Sequence, residues 1–284
     1  MNKSTSWTGI ARLRFTQGEQ GTRPTLVYTQ APLKVQRSFY ASDSGLCQTV
    51  LVHTAGGMVG GDRLLTELLL EREAQVLITT PAAQKVYGSL GETSEQVVEI
   101  TLRGGSCLDY FPLETIVFNQ AQFRQDTRVY LAPHSYFSGW EITRFGRTAR
   151  GERFTEGQWR SSLEIWQVQP DGTKIPLWID RQHLLDPSAL LQSPFGLDAQ
   201  SVIGNLLLVG QPVTNDQKQN LVETWQAAGY QSPQFACTRT QQGLIARYRG
   251  TSSQEARQGF LHLWQTWKKT IVQQPVWMSR LWSV

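Results

Sequence analysis

The segment His53-Thr54-Ala55-Gly56-Gly57-Met58-Val59-Gly60-Gly61-Asp62-Arg63-Leu64 constrains the fold of this 284-residue chain more than any other stretch. Two Gly-Gly pairs flank an apolar step, and a carboxylate follows them. Glycine accepts positive φ and lets another backbone come close. The spacing therefore predicts a tightly folded structural loop made by His53, Gly56, Gly57, Gly60, Gly61 and Asp62, with positive φ expected at Gly60 and Gly61. Val50, Leu51 and Val52 before it, and Leu64 and Leu65 after it, read as strands. The loop could also be read as a phosphate-binding one, because Gly56 and Gly61 stand where G-x-x-x-x-G-K-[ST] needs them. Asp62 then replaces the lysine and Arg63 the hydroxyl residue. A carboxylate there repels phosphate, and the magnesium ligand is missing.

Strand signals fill the first two-thirds of the chain. Ala11, Leu13 and Phe15 alternate with Arg12 and Arg14, the period of a half-buried strand. Val76 to Ile78, Gln96 to Leu102, Ile116 to Phe118, Val129 to Leu131, Trp140 to Phe145 and Leu163 to Val168 continue the pattern between Gly, Pro and Asn/Asp breaks. No βαβ unit repeats, which excludes doubly wound folds and TIM barrels. Helical signals come late. Thr214 and Gln217 form a capping box before Leu221, Val222 and Trp225, with Gly229 as the stop. Ser252 and Glu255 form a second, before Ala256, Phe260, Trp264, Trp267 and Ile271, an aromatic stripe that reads as packing on the sheet or, in part, as docking a partner helix. The expectation is a mainly β protein of stacked, largely antiparallel sheets, with two α-helices in the C-terminal third. No repeat or linker is apparent, so residues 1–284 read as a single domain.

Only 18 % of the residues are charged, against roughly 25 % in an average domain, and ten are Trp. Such a chain is expected to keep apolar surface for partners. The net charge of +4 comes without a run of Lys or Arg, so nucleic acid is not expected as a partner. Met1 to Phe15 has no apolar core of a secretion signal, and the apolar run Leu206 to Val209 is too short to span a bilayer. Cys47, Cys107 and Cys237 are far apart and in no C-x-x-C, so reduced thiols in a cytoplasmic protein are expected. The four histidines form no H-x-H, H-x-x-x-H or H-E-x-x-H, and there is no G-x-S-x-G. His53 is expected to brace the glycine loop through hydrogen bonds, with metal contact as the alternative.

Carboxylates embedded in apolar strand text say more. Glu141 lies between Trp140 and Ile142, Glu164 between Leu163 and Ile165, Asp180 follows Trp178-Ile179, and Glu114 follows Phe111-Pro112-Leu113. Buried carboxylates are costly unless they are paired, hydrogen-bonded, or facing water or a cation. They read either as ordinary ion-pair members or as the lining of a polar channel. As paired acids, Glu114 and Glu141 would instead suit a β-rich hydrolase.

Five ordered blocks resemble one family. The glycine loop resembles the His-Pro-Pro-Gly-Gly-hydrophobic-Val-Gly-Gly-Asp signature of the urease accessory protein family UreD (UreH), with Thr54 and Ala55 in place of the two prolines. Thr79-Thr80-Pro81-Ala82-Ala83-Gln84-Lys85-Val86-Tyr87-Gly88-Ser89 resembles T-T-P-A-A-x-K-x-Y-R-S, with Gly88 where arginine is usual. Leu108 to Phe118 resembles L-E-W-L-P-Q-E-T-I-V-F. Gly139-Trp140-Glu141-Ile142, Gly146-Arg147 and Gly151-Glu152-Arg153-Phe154 fit the next block, and Arg280-Leu281-Trp282 the terminal R-I-W.

The resemblance implies a non-catalytic urease maturation chaperone that binds urease apoprotein, a helical accessory protein (UreF type) and, through the complex, a nickel GTPase (UreG type). It implies no tightly bound cofactor and no resident metal, with nickel(II) in transit. Glu141, Asp180, Glu114 and Glu164 are the candidates for the transit path, and Trp264, Trp267, Trp277 and Trp282 for the partner surface. A scaffold that never touches nickel is the structural alternative.

Overall fold

The computed structural model describes residues 6–40, 45–230 and 234–282. Among the described residues eighteen strands run in chain order: β1 (Thr8–Gly18), β2 (Gly21–Gln30), β3 (Leu33–Val35), β4 (Phe39–Tyr40), β5 (Cys47–His53), β6 (Arg63–Leu70), β7 (Gln75–Thr79), β8 (Gln84–Val86), β9 (Ser94–Leu102), β10 (Cys107–Phe111), β11 (Thr115–Val117), β12 (Gln122–Leu131), β13 (Tyr136–Phe145), β14 (Gln158–Val168), β15 (Lys174–Leu184), β16 (Val202–Val209), β17 (Gln234–Thr240) and β18 (Gly243–Gly250). The described residues also form three α-helices: α1 (Pro187–Gln192), α2 (Asn215–Ala227) and α3 (Ser253–Trp267).

The strands form two stacked sheets. One has seven strands in the order β15-β14-β12-β9-β6-β1-β2; the other has eleven, along β17-β18-β16-β13-β10-β7-β5-β3 with β4, β8 and β11 at its side. The protein is mainly β with stacked sheets, as expected, but the direction of pairing needs correcting. From β1 through β6, β9 and β12 to β14, and from β5 through β7 and β10 to β13, neighbours are parallel. Antiparallel pairs lie at the margins: β1–β2, β14–β15, β3 and β4 with β5, and β13–β16–β18–β17. The chain winds as a coil. From β6 in the first sheet it crosses to β7 in the second, returns to β9, crosses to β10, and returns to β12. Each turn of the coil takes roughly 30 residues. Strands one turn apart lie side by side and therefore run the same way.

Alternation divides each strand of the second sheet between two cores. Phe137, Phe145, Leu207 and Ile245 face the first sheet, where they meet Leu68, Ile100, Phe123, Val129 and Ile165. Trp140, Ile142, Leu206 and Leu208 face the opposite way, onto α2 and α3. Each such side chain removed from water stabilises the fold by roughly 1.5–3 kcal/mol. The layers are thus sheet, sheet and helices. Thr214 and Gln217 cap α2 reciprocally, and Ser252 accepts from the Glu255 N–H at the start of α3. The short α1, capped by Asp186, is a third helix beyond the two expected.

Candidate functional site

One row between the sheets is polar. In the first sheet, register sets Gln96, Gln125, Ser161 and Gln182 abreast, and two residues along their strands Val98, Thr127, Leu163 and Asp180. In the second, Glu141, Asn205 and Arg247 stand abreast. All lie on inward-facing positions by strand alternation. Glu141 joins the two sheets: its Oε1 accepts from Thr127 Oγ1 at 2.6 Å and its Oε2 from Ser161 Oγ at 3.1 Å. Asp180 Oδ2 accepts from Gln182 Nε2 and from Arg247 Nη2, both at 2.9 Å.

The row connects two concavities. A cavity of about 310 Å³ is lined by His53, Gly56, Gly57, Gln96, Gln125 and Glu141. A groove of about 600 Å³ on the side of β14 to β18 is lined by Gln182, Asn205 and Arg247 over Trp159, Leu184 and Tyr248. Glu141 lies deep in the molecule yet keeps some accessible surface, because it faces the cavity. Burial raises its carboxyl above the usual carboxylate range. Hydrogen bonds from Thr127, Gln125 and Ser161 oppose the rise, and the nearby Asp180 charge adds to it. The Tyr110 phenol in the cavity wall is likewise raised, by burial and then by Glu141. Gln125 Oε1 is buried without a hydrogen-bond partner. An unpaired buried acceptor costs roughly 1–3 kcal/mol, so an apolar row here would be the more stable choice.

The glycine loop forms the rim of this cavity. Asp62 fastens it, its Oδ1 accepting from Trp7 N–H and its Oδ2 from Val59 N–H, each at 2.9 Å. His53 Nδ1 lies 3.0 Å from Gln84 Oε1, and burial lowers the ring's pKa against the opposing pull of Gln84 and Asp62. Thr54, standing in place of a proline, donates its N–H to Pro32 O at 2.8 Å, a bond proline cannot make.

Two of the sequence-derived carboxylates lie off this row. Glu114 turns to α3, accepting from Ser253 Oγ at 2.9 Å and pairing with Arg257 at 3.4 Å. Glu164 alternates with the buried Leu163 and Ile165 and so lies on the outer face, paired with Arg181 at 2.9 Å. That pairing holds its carboxyl below the usual range. Glu114 and Glu141 are therefore committed to different layers, which removes the acid pair a hydrolase would use.

Two of the tryptophans also need correcting. Trp264 and Trp267 have no exposed surface. They pack on the second sheet, where the Trp264 indole donates to Asp109 at 2.8 Å, and Asp109 pairs with the buried Lys268 at 3.2 Å. Neither is a surface anchor. Trp277 and Trp282 are half-buried, next to exposed Met278 and Leu281.

The neutral members of the row, Gln96, Gln125, Thr127, Ser161, Gln182 and Asn205, and the cation Arg247 escape the sequence reading. The available signal was their spacing: Gln125 sits two residues from Phe123 and four from Val129, at a core position.

Among the described residues no group of three or more His, Cys, Asp or Glu could hold a metal ion, and no helix is long and apolar enough to cross a membrane. The fold is a coiled β scaffold with a polar seam between its sheets. The family model described as UreD urease accessory protein matches residues 8–283, and the chain belongs to that family. It is 42 % identical to the urease accessory protein UreD of Nostoc punctiforme over 98 % of this chain and 96 % of the relative. The UreD proteins of Acaryochloris marina (44 %; 98 % and 96 %) and Synechocystis sp. (45 %; 93 % and 96 %) are similarly related. The family consists of assembly factors for urease and not of enzymes, and a role in urease maturation follows for this chain.

Proposed function

We propose that this chain acts in the cytoplasm, as one domain, by binding urease apoprotein and by giving nickel(II) a route through the polar row between its sheets. A helical accessory protein of the UreF type binds beside it, and a nickel GTPase of the UreG type joins through that complex. The single observation that carries the reading is the position of Glu141: a carboxylate of the second sheet in the molecular interior, accepting hydrogen bonds from Thr127 and Ser161 of the first sheet and facing a cavity. Nickel is cargo here, so the row must attract a divalent cation without holding it. Oxygen donors suit this, since they bind divalent transition metals more weakly than nitrogen or sulfur does. Two separated carboxylates supply charge, while hydroxyl and amide groups replace part of the hydration shell.

The partner surface falls to the C-terminal segment. Exposed Met278 and Leu281 offer an apolar face, supported from beneath by Trp277 and Trp282, which pack against the helix-side core, and central interface anchors contribute roughly 2 kcal/mol or more. Co-expression with urease and the other accessory proteins, followed by co-purification and nickel analysis of every component, tests the assignment. The expected result is one complex containing this chain, with Met278→Asp and Leu281→Asp weakening its hold on the helical partner. Purification of this chain free of urease under all conditions would overturn it.

A further inference from the structure

The polar row contains one built-in cation. Arg247 Nη2 lies 2.9 Å from Asp180 Oδ2, with the carboxylate side chain 14 % exposed and the guanidinium side chain 46 % exposed. Arg247 stands across from Asn205, and Asn205 across from Glu141, so the guanidinium continues the row that begins at the interior carboxylate. It also rests 5.7 Å from the Trp178 ring, on the neighbouring strand position to Asp180. The groove it lines opens to solvent, and the opposite stretch of the row reaches the cavity lined by Gln96 and Gln125, where Gln125 Oε1 has no hydrogen-bond partner. Oxygen groups that would serve a travelling divalent ion are therefore present along the row. At its outer end, the counter-charge is already supplied by arginine.

Building on the transit reading, we propose that Arg247 is a displaceable internal counter-cation that occupies the divalent ion's place at Asp180. While the pair is closed, Asp180 is neutralised and a second cation is repelled, since like charges at such range repel strongly in a partly desolvated site. Passage requires the guanidinium to leave Asp180 and the metal ion to take its place. No covalent bond is made or broken: the Arg247–Asp180 hydrogen bond gives way to coordination of the incoming ion by the Asp180 carboxylate, one cation exchanging for another. Half of the arginine side chain is in water, so it has room to swing outward along the groove, while the carboxylate it leaves is fixed by Gln182.

The test is calorimetric titration of nickel(II) chloride into the purified full chain at pH 7.5. Arg247→Gln should bind nickel at least tenfold more tightly than the wild type, and the gain should vanish in Arg247→Gln combined with Asp180→Asn. Arg247→Lys, which keeps the charge and serves as the variant least disturbing to the fold, should stay within about threefold of wild type. Unchanged affinity in Arg247→Gln, a gain that persists without Asp180, or a tenfold gain in Arg247→Lys would each overturn the proposal. These results are separable from failure of the route itself. If Glu141→Gln still lowers nickel delivery while Arg247→Gln leaves affinity unchanged, the counter-cation role fails and the route stands. If Glu141→Gln is without effect, the route fails whatever Arg247 does.

Discussion

Gly56 and Gly60 open the two doublets of the same loop, but the structure asks different things of them. A Cβ on Gly60 would come within 2.6 Å of Ser89 Cβ and 2.8 Å of Glu92 O, whereas at Gly56 the nearest atom is 3.9 Å away. Gly60→Ala should therefore cost about 1–3 kcal/mol through overpacking, and Gly56→Ala less than about 0.5 kcal/mol. Urea unfolding of both variants checks this, and equal costs would contradict it. The sequence made the loop legible but misassigned one reason for it. Gly61 does take positive φ, +86°, while Gly60 is needed for space alone. The atoms that crowd Gly60 belong to a segment beyond β8, which no local pattern reveals.

Glu141 gives a pH signature at the same scale. Its carboxyl is raised by burial, so the folded chain keeps this proton to higher pH than the unfolded chain does. Across that window the folded state binds more protons, and stability falls as pH rises from the ordinary carboxylate range upward. Glu141→Gln removes the effect. Glu164 and Glu152, whose carboxyls are held low by Arg181 and Arg147, act in the opposite sense but are common to both proteins. Thermal melts at pH 4.5 to 7.5 should therefore show the variant gaining on the wild type as pH rises. A constant difference would mean that Glu141 is ionised throughout.

Helix α3 brings Gly259 directly against Trp225 of α2. A Cβ on Gly259 would lie 2.0 Å from the Trp225 ring, which itself stacks on Phe235 at 4.2 Å and 4°. Alanine is favoured over glycine inside a helix by about 1 kcal/mol, but here it would push the helices apart. Gly259→Ala is expected to lower stability by about 1–3 kcal/mol, and a higher melting temperature would show that the contact is loose. The helices were the legible elements, because capping and apolar periodicity are written locally. The direction of strand pairing was not. A short alternating strand ended by a turn reads the same whether the next strand folds back beside it or crosses to the other sheet. The coil spacing of roughly 30 residues is marked only by scattered matches, such as Leu70, Leu102 and Leu131 standing abreast. Both margins of the seven-stranded sheet carry a proline at a register break, Pro24 opposite Phe15 and Pro176 opposite Trp166. Each removes a donor from an open edge and disfavours pairing with another chain.

The whole molecule is a three-layer body with a polar row set between apolar ones. The sequence located Glu141 and Asp180 by their apolar neighbours, and the structure brings them within electrostatic reach of each other. It also sends Glu114 and Glu164 elsewhere, since a carboxylate's layer depends on which strand face it occupies and on the arginine it meets. Family membership was legible because whole blocks of residues keep their order. The direct test of the account is nickel per urease active site after co-expression with the full accessory set, with assembly of the complex checked on the same samples. Glu141→Gln and Asp180→Asn should each leave the complex assembled and lower the nickel content, and the double variant should lower it further. Wild-type nickel content in an intact complex carrying both substitutions would contradict transit through this row.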